Sequence, residues 1–455
     1  MNKALQLGRK ITALLGDLFL MYLGLFLTLI IRYSKLPNVE NWHNHWTTLS
    51  GLFIVWLFIF YAFGLYQKQS SKQKLDLIRA FLPAIGLCLI IGIAYFYLLA
   101  PSTNITPKTS LLILTLIFGI LFLIFSFILS KVFSNSKFYR RVLLIGYHPL
   151  LQEILPANGQ KRFEFIFKGL VNNERVENWP NDIRIYSLDQ LEAVIRQEKI
   201  DLLIISPNLA NENTTALFKI MPLKVSFVTL TNFYEWVFKK IPLNIVDRTW
   251  FLDNLTEGDK KIFETIKRFI DILLSLIGLI IASPIMLLVA CAIALNSKGE
   301  IIFKQVRLGL GGQEFSLYKF RTMFQNAEKN GAEWAKVNDP RITGVGKFLR
   351  KTRLDEIPQL LNILKGKMSF VGPRPERPEF VTDLTQKIPF YQERLLVKPG
   401  LTGWAQILGP AYGGSVEESL NKLQYDLYYI KHRNIFLDFA VIIKTLSIVT
   451  KMLGR

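Results

Sequence analysis

Between Arg350 and Phe380 the chain reads RKTRLDEIPQLLNILKGKMSFVGPRPERPEF, an adjacent pair of carboxylates, Asp355 and Glu356, set among basic side chains. This combination reads as a phosphate site. Arg350, Lys351 and Arg353 stand just before the pair, and Arg374 follows between Pro373 and Pro375, which restrict its backbone. Guanidinium forks neutralise a diphosphate better than ammonium groups do, because their donors are planar and bidentate. Pro358 fits a helix only in its first turn, so a helix ending near Leu364 and Gly366 is expected to begin close to Asp355. The pair would then lie at a helix N-terminus, where free N–H groups attract negative charge.

In so basic a setting both carboxylates are expected to stay ionised near neutral pH, which suits a nucleophile or a metal ligand better than a general acid. Neighbours on a helix project about 100° apart, so a shared proton or a pair facing across a substrate is not expected. The alternative from these residues alone is structural, with Asp355 as an N-cap and Glu356 as a first-turn dipole partner.

The elements that must carry this stretch are those of a membrane protein. Among 455 residues, 51% are hydrophobic and 34 are Phe, too apolar for a wholly soluble chain and too long for one domain. Against 35 Asp and Glu, 55 Lys and Arg leave a formal net charge of +20, but the basic residues cluster beside apolar runs. Anionic lipid headgroups and phosphorylated substrates, not nucleic acid, are the expected partners. Cys88 and Cys291 both lie inside apolar runs and only four histidines are present, so neither a disulfide framework nor a zinc site is expected.

Four segments are predicted to cross a bilayer as helices: Ile11 to Ile31, Leu49 to Tyr66, Ala80 to Ala100 and Leu111 to Val132. The first is as long as a span and lacks a small-residue cleavage site, so it reads as an anchor and not a cleaved signal. Lys3, Arg9 and Lys10 precede the first span; Lys68, Lys72, Lys74 and Arg79 separate the second and third; Lys131, Lys137, Arg140 and Arg141 follow the fourth. The other two loops hold only Arg32 and Lys35, and Lys108, so both ends of the bundle are expected to face the cytoplasm. Asp17, at one end of its span, is expected to face a neighbouring helix or the interface.

From Arg140, runs such as RRVLLIG, FIFKGLV, DLLIIS and VSFVTL alternate with helical segments, which predicts a parallel sheet. The opening resembles a Rossmann unit, but Tyr147, His148 and Pro149 stand where the approach of a pyrophosphate needs glycine. A structural, oligomerising or regulatory role is expected instead, and this domain offers a surface for a homodimer. The run from Phe269 to Leu295 is long enough to span, but carries Ser283 and Pro284 at its middle. Proline removes a helix hydrogen bond and a serine hydroxyl can satisfy the freed group, so a sharp bend is expected. Hydropathy alone fits a Pro-kinked span equally, and a re-entrant helix over 267–296, turning near Pro284, is expected because it keeps the basic C-terminal third on the cytoplasmic side.

The segments IIFKQVRLGLGGQEFSLYKFRTM, WAKVNDPRITGVGKFLRKTRLDEIPQLLNILKGKMSFVGPRPERPEF, VKPGLTGWAQI and KLQYDLYYIKHRNIFLDFAVIIKT follow in that order. Together they resemble the bacterial sugar transferase family, the monotopic polyprenyl-phosphate hexose-1-phosphate transferases, over roughly Lys267 to Leu453. Larger members also carry four N-terminal spans and a degenerate Rossmann-like domain. The resemblance therefore implies a transmembrane four-helix bundle (1–135), a cytoplasmic Rossmann-like α/β domain (136–255) and an α/β monotopic catalytic domain (256–455).

It also implies chemistry. The carboxylate corresponding to Asp355 attacks the sugar-side phosphate of a UDP-sugar, expelling UMP, and undecaprenyl phosphate then takes up the sugar phosphate. The neighbour corresponding to Glu356 holds Mg²⁺. Arg350 and Arg374 are assigned to phosphate contacts, with Lys319 and Arg321 of KFRTM as further candidates. Gln305, Arg307, Gly309, Gly311 and Gly312 read as a tight turn. Asp339, Arg341 and Thr343 either build the nucleotide pocket or cap a turn. KPGLTGW is expected to shape the sugar or lipid pocket, and Phe436 to Leu453 to lie on the bilayer as an interfacial helix. After the re-entrant helix the family has a Ser-x-Gly-Pro turn, whereas Ser297, Lys298, Gly299 and Glu300 here lack the proline.

The expected function is priming of an exopolysaccharide, capsule or O-antigen repeat unit at the cytoplasmic face of the bacterial inner membrane. A nucleotide-sugar dehydratase or epimerase would need the glycine fingerprint at Gly146 and a Tyr-x-x-x-Lys pair, which this domain lacks. A non-catalytic scaffold would not need both carboxylates and both arginines.

Overall fold

The computed structural model describes residues 2–450 apart from 64, 67–73, 99–106, 133–138, 156–160, 163–164, 173, 175, 177–178, 208–213, 256–259, 325–338 and 410–414. Lys68, Lys72 and Lys137, which entered the orientation argument, lie outside the described residues. The chain forms two compact units, Met1–Phe233 and Tyr234–Arg455.

The first unit begins with α1 (Asn2–Tyr33), α2 (Val39–Ala62), α3 (Lys74–Leu98) and α4 (Pro107–Val132). Aromatic rings fill their interior: Phe81 and Phe122 stack with centroids 5.0 Å apart, Phe60 meets Phe122 edge-on at 4.9 Å, and Trp56 Nε1 donates to the Cys88 carbonyl at 3.1 Å. Large aliphatic and aromatic side chains such as Phe19, Ile54, Ile90 and Ile120 point outward, which fits an apolar surrounding and not water. Among the described residues, the stretches long and apolar enough to cross a membrane are Ile11–Tyr33, Ala80–Tyr97 and Thr109–Leu129 here, and Lys261–Asn296 in the second unit. The expected second span is helical but is not among them. It is nonetheless an apolar helix, Val39–Ala62, whose first turns carry Glu40, Asn41, His43, Asn44 and His45. Asp17 is buried inside the bundle.

A six-stranded sheet follows, built from β1 (Arg140–Ile145), β2 (Lys161–Arg162), β3 (Phe165–Val171), β4 (Arg184–Tyr186), β5 (Leu202–Ile205) and β6 (Ser226–Thr229). Its helices are α5 (Leu150–Ile154), α6 (Leu191–Gln197) and α7 (Thr214–Lys219), and α8 (Leu230–Phe238) follows β6. The parallel strands lie in the order β4, β3, β1, β5, β6, with β2 pairing antiparallel to the start of β3. The near-continuous burial of β1 and β3 is what a parallel sheet covered on both faces demands. At the end of β1 the loop is occupied by its own contacts. Ser206 Oγ donates to the Gly146 carbonyl at 2.7 Å, the Tyr147 amide to Asn172 Oδ1 at 3.3 Å, and the Leu150 amide to His148 Nδ1 at 3.2 Å.

The second unit starts earlier than the expected boundary at residue 256. Ile241, Leu243, Val246 and Phe251 are buried in one core with Tyr391, Trp404, Leu427 and Ile430, so residues from 234 to 255 belong with the C-terminal part. Backbone ties follow suit: Ile241 N–H donates to the Gln424 carbonyl at 3.0 Å and Trp404 Nε1 to that of Lys239 at 3.0 Å. The remaining elements are α9 (Arg248–Asn254), α10 (Lys261–Asn296), β7 (Ile302–Leu308), β8 (Glu314–Phe320), α11 (Gly344–Thr352), α12 (Gln359–Leu364), β9 (Ser369–Val371), α13 (Pro378–Lys387), β10 (Gly400–Thr402), α14 (Trp404–Leu408), α15 (Val416–His432) and α16 (Ile435–Thr450). β7 and β8 form an antiparallel hairpin closed by a short 3₁₀ turn, where Gly311 and Gly312 take φ of 64° and 76°. The turn expected from those glycines is therefore present.

The helix α10 is continuous through Ser283 and Pro284. Pro284 cannot donate to the Ile280 carbonyl four residues back, and Ser283 Oγ donates to that carbonyl instead, at 2.8 Å. Packed residues occur in both halves of the helix. Leu279 joins the core of Phe315, Leu360 and Ile363, while Met286, Val289 and Ile293 join that of Phe320 and Leu349. Ile280, Ile281, Leu287 and Leu288 on the same helix are exposed. In α16, Phe436 and Phe439 are exposed while Asp438, Val441 and Ile443 are buried.

Candidate active site

Four elements of the second unit bring the charged residues together. α11 begins at Thr343, whose Oγ1 accepts from the Gly346 amide at 2.9 Å, so this residue caps a helix. The helix ends at Arg353, held at φ 60°, a left-handed conformation that costs a non-glycine residue on the order of 1–3 kcal/mol. The sharp turn places Leu354–Glu356 in a separate 3₁₀ turn ahead of α12. The expected helix N-terminus is thus displaced: Pro358 is the N-cap of the six-residue α12, and Asp355 and Glu356 precede it by a turn. Neither acid caps that helix, and surrounding cations do what the dipole was expected to do.

Both carboxylates are buried, at 6% and 8% exposure, which makes their partners decisive. Three cations converge on Glu356 Oε1: Arg374 Nη2 at 2.9 Å, Lys319 Nζ at 3.2 Å and Arg353 Nη1 at 3.5 Å. Lys319 and Arg374 therefore meet at the acidic pair from the hairpin and from the loop after β9. Asp355 differs, because its Oδ1 is buried and has no hydrogen-bond partner among the described residues. Buried polar atoms in folded proteins are nearly always paired, so an orphaned carboxylate oxygen is a strong functional signal.

The pair is split electrically. Burial opposes the ionisation of Glu356, but Lys319, Arg374 and Arg353 overcome it and hold the carboxyl well below the usual range. Asp355 is pushed up, by burial first and then by the charge of Glu356, against the pull of Lys319, Arg350 and Arg353. Equal ionisation of the two was expected; Glu356 follows that expectation, and Asp355 is displaced from it because it is buried without a partner of its own. Burial lowers Lys319, while Glu356 opposes that shift and raises Arg374.

Arg350 lies on α11 with its Nε donating to Thr322 Oγ1 at 2.9 Å, and its charge acts on Asp355 and Asp339. Arg321 goes elsewhere. Its Nη2 donates to the Ser297 carbonyl at 2.7 Å and to Ser297 Oγ at 3.0 Å, so it fastens the end of α10 and is not among the cations on the acidic pair. Arg341 grips Asp339 through Nε at 2.8 Å and Nη2 at 2.6 Å, holding that carboxyl down at about 2. The KPGLTGW segment supplies β10, which pairs in parallel with β9. A Cβ on Gly400 would stand 2.1 Å from the Gly372 amide nitrogen, so this pairing requires glycine.

Several positioning residues lack a short sequence signature. Asn362 on α12 accepts from the Tyr318 amide at 3.0 Å and donates to the Ser316 carbonyl at 2.7 Å, fixing α12 against the strand that carries Lys319. Arg268 on α10 donates to the carbonyls of Ile363 and Leu364 at 2.6 and 2.8 Å, closing the end of α12. Asp271 accepts from the Phe370 amide at 3.1 Å on the strand that leads to Arg374. Because these side chains bind backbone, only the folded arrangement reveals them.

Helices long and apolar enough to cross a membrane, together with a buried carboxylate pair rimmed by cations, mark a membrane protein with a charged site. The sequence model of a family described as bacterial sugar transferase matches residues 262–452, which encloses this whole site. A putative undecaprenyl-phosphate N-acetylgalactosaminyl 1-phosphate transferase of Bacillus subtilis (strain 168) is 51% identical over 130 residues, covering 29% of this chain and 73% of that protein. The UDP-N-acetylgalactosamine-undecaprenyl-phosphate N-acetylgalactosaminephosphotransferase of Aeromonas hydrophila is 44% identical over 193 residues, 42% of this chain and 45% of that protein. For the UDP-glucose:undecaprenyl-phosphate glucose-1-phosphate transferase of Escherichia coli (strain K12) the identity is 40% over 181 residues, 40% of this chain and 39% of that protein. The chain belongs to the bacterial sugar transferase family. It spans less than half the length of the Aeromonas and Escherichia proteins.

Proposed function

We propose that this protein transfers a sugar 1-phosphate from a UDP-sugar to undecaprenyl phosphate through a covalent intermediate on Asp355. The observation that carries the reading is the buried, unpartnered Asp355 Oδ1 beside a Glu356 already neutralised by three cations. The Asp355 oxygen attacks the sugar-side phosphorus; the bond from that phosphorus to the bridging oxygen breaks, and UMP leaves with the electron pair. The resulting acyl phosphate is attacked by an oxygen of undecaprenyl phosphate, which forms the lipid diphosphate sugar and returns the carboxylate. Splitting the reaction lets the bulky lipid arrive after UMP has gone. Arg350, Lys319 and Arg374 neutralise phosphoryl oxygens beside the buried carboxylates.

Mg²⁺ fits these residues. Glu356, whose carboxyl stays ionised, would hold the ion, since magnesium is commonly held by one or two carboxylates together with substrate phosphates. No group of three or more acidic, histidine or cysteine ligands occurs among the described residues, so the diphosphate would complete the coordination. Bound there, the ion would draw charge from the transferring phosphoryl group.

The same reading places the catalytic unit at the cytoplasmic face of the inner membrane, priming a polysaccharide repeat unit, with α10 re-entrant. A hydrocarbon core of about 30 Å needs about 20 helical residues. Between Leu279 and Met286, both packed on the second unit, only Ile280 to Ile285 intervene, which supports a helix bent at Pro284 that returns to its own side. The strand order of the first unit's sheet supports a degenerate Rossmann-like domain, whose phosphate loop is filled by its own side chains. A homodimer through that domain remains part of the proposal. The test is UMP release by the full chain in membranes with Mg²⁺, undecaprenyl phosphate and a panel of UDP-sugars. Release by the parent and its loss in Asp355→Asn are expected; undiminished turnover in that variant would refute the nucleophile.

A further inference from the structure

The segment from Pro373 to Glu376 carries Arg374 and belongs to no helix or strand. Two of its four residues are proline and have no N–H to anchor it. Its carbonyls do the anchoring instead, each with its own donor. Gly400 N–H donates to Pro373 at 2.9 Å, Arg394 Nη2 to Arg374 at 3.0 Å, Arg307 Nη1 to Pro375 at 3.0 Å, and Leu308 N–H to Glu376 at 3.0 Å. Two of the four donors are guanidinium groups reaching in from distant parts of the chain. Between them stands the Glu376 carboxylate, with Arg307 Nη1 at 3.5 Å and Arg394 Nη1 at 4.0 Å.

Arg394 is itself built in. Its side chain is 6% exposed, Nη2 meets Asp426 Oδ2 at 2.9 Å, and Nη1 donates to Tyr391 Oη at 2.7 Å. The Asp426 side chain is 2% exposed. A buried ion pair is a poor route to stability, because apolar residues of the same volume usually do as well or better. What such a pair supplies is fixed geometry, and a planar fork holds a carboxylate, a phenol and a carbonyl in set directions, which the freely rotating donors of an ammonium do not.

We propose that Arg394, braced by Asp426, and Arg307 form a clamp on the backbone of the Pro373–Glu376 loop that sets the Arg374 guanidinium against Glu356 and the substrate diphosphate. Both are positioning residues: they act through Arg374 and touch no substrate. The inference rests on the proposed transfer reaction for its kinetic consequence and on the hydrogen bonds alone for its structural one. A misplacement of about 1 Å in a phosphate-binding group reduces rate by about 100-fold.

The test is a double-mutant cycle on the full chain, with kcat/KM for UMP release in membranes, coupled to hydrogen exchange at the Leu308 and Gly400 amides, which bond into the loop. Arg394→Gln is expected to lower kcat/KM by about 10- to 100-fold in the parent and by less than about 2-fold in an Arg374→Gln background, because its effect passes through Arg374. Arg394→Lys is expected to restore little, since the fork is what matters. Arg394→Gln and Arg307→Gln should both speed exchange at the two amides. Equal losses in both backgrounds, or unchanged exchange, would overturn the clamp. If Arg394→Gln fails to fold, Arg307→Gln, which leaves the Arg394–Asp426 pair intact, takes its place in the cycle. A parent that releases no UMP from any UDP-sugar would sink the transfer reading, and the exchange result would still decide the clamp.

Discussion

Replacing Glu356 by Gln keeps the shape of the side chain and removes one negative charge beside Asp355, and the structure fixes the sign of the outcome. Asp355 is driven up by burial and by Glu356, and pulled down by Lys319, Arg350 and Arg353. Glu356→Gln deletes one upward push. It also frees Lys319 and Arg374, now 3.2 and 2.9 Å from Glu356 Oε1, to act on Asp355 alone. Opposite charges at such range favour the ionised form of a carboxyl, and one like charge is gone, so the Asp355 pKa should fall. Attack requires the ionised carboxylate, so activity is lost as pH drops through the Asp355 pKa. The acid limb of kcat/KM, which reports groups of the free enzyme, should therefore shift to lower pH in Glu356→Gln even as the maximum rate declines. Lys319→Met should move the limb the opposite way, because a downward pull is lost. The assay is UMP release with the full chain in membranes across the acid half of the pH range. An acid limb that stays in place or moves upward in Glu356→Gln would refute the argument that this neighbour governs the proton on Asp355.

Two further outcomes follow from the same geometry. Asp339 is held down at about 2 by Arg341, so its ionised form stabilises the fold above the unfolded carboxyl pKa and that contribution is lost as pH falls toward about 2. Asp339→Asn should cost on the order of 1–3 kcal/mol at neutral pH and progressively less in acid, as read by thermal unfolding in detergent. If α10 bends and returns, single cysteines at Lys260 and Lys298 in a Cys88→Ala, Cys291→Ala background should both be shielded from an impermeant maleimide in intact cells and both react once the membrane is opened. Labelling of one end alone in intact cells would establish a crossing helix.

The sequence revealed the acidic pair because its partners are local: Arg350, Asp355, Glu356 and Arg374 fall in one stretch of chain, and the prolines around Arg374 announce an irregular loop. Lys319 and Arg321 stand two residues apart in KFRTM, and nothing in that motif separates them as candidates for phosphate contact. β8 ends at Phe320, however, and the Arg321 amide bonds back to the Ile301 carbonyl, which sends its side chain to Ser297 while Lys319 reaches Glu356. The helix start was misplaced because the left-handed turn at Arg353, which no propensity favours for arginine, inserts a 3₁₀ turn before Pro358. Arg394, Arg307, Asn362 and Arg268 were illegible for a different reason. They recognise backbone carbonyls and amides brought near by the fold, and backbone groups leave no trace in residue identity.

The central claim concerns a covalent bond, and intact-protein and peptide mass spectrometry after incubation with UDP-sugar and Mg²⁺, in the absence of undecaprenyl phosphate, tests it most directly. A sugar phosphate on the peptide containing Asp355, about one UMP released per chain, and discharge of the adduct on adding the lipid phosphate are the predicted results. UMP release that begins only when the lipid is added, with no adduct at any stage, would contradict the account.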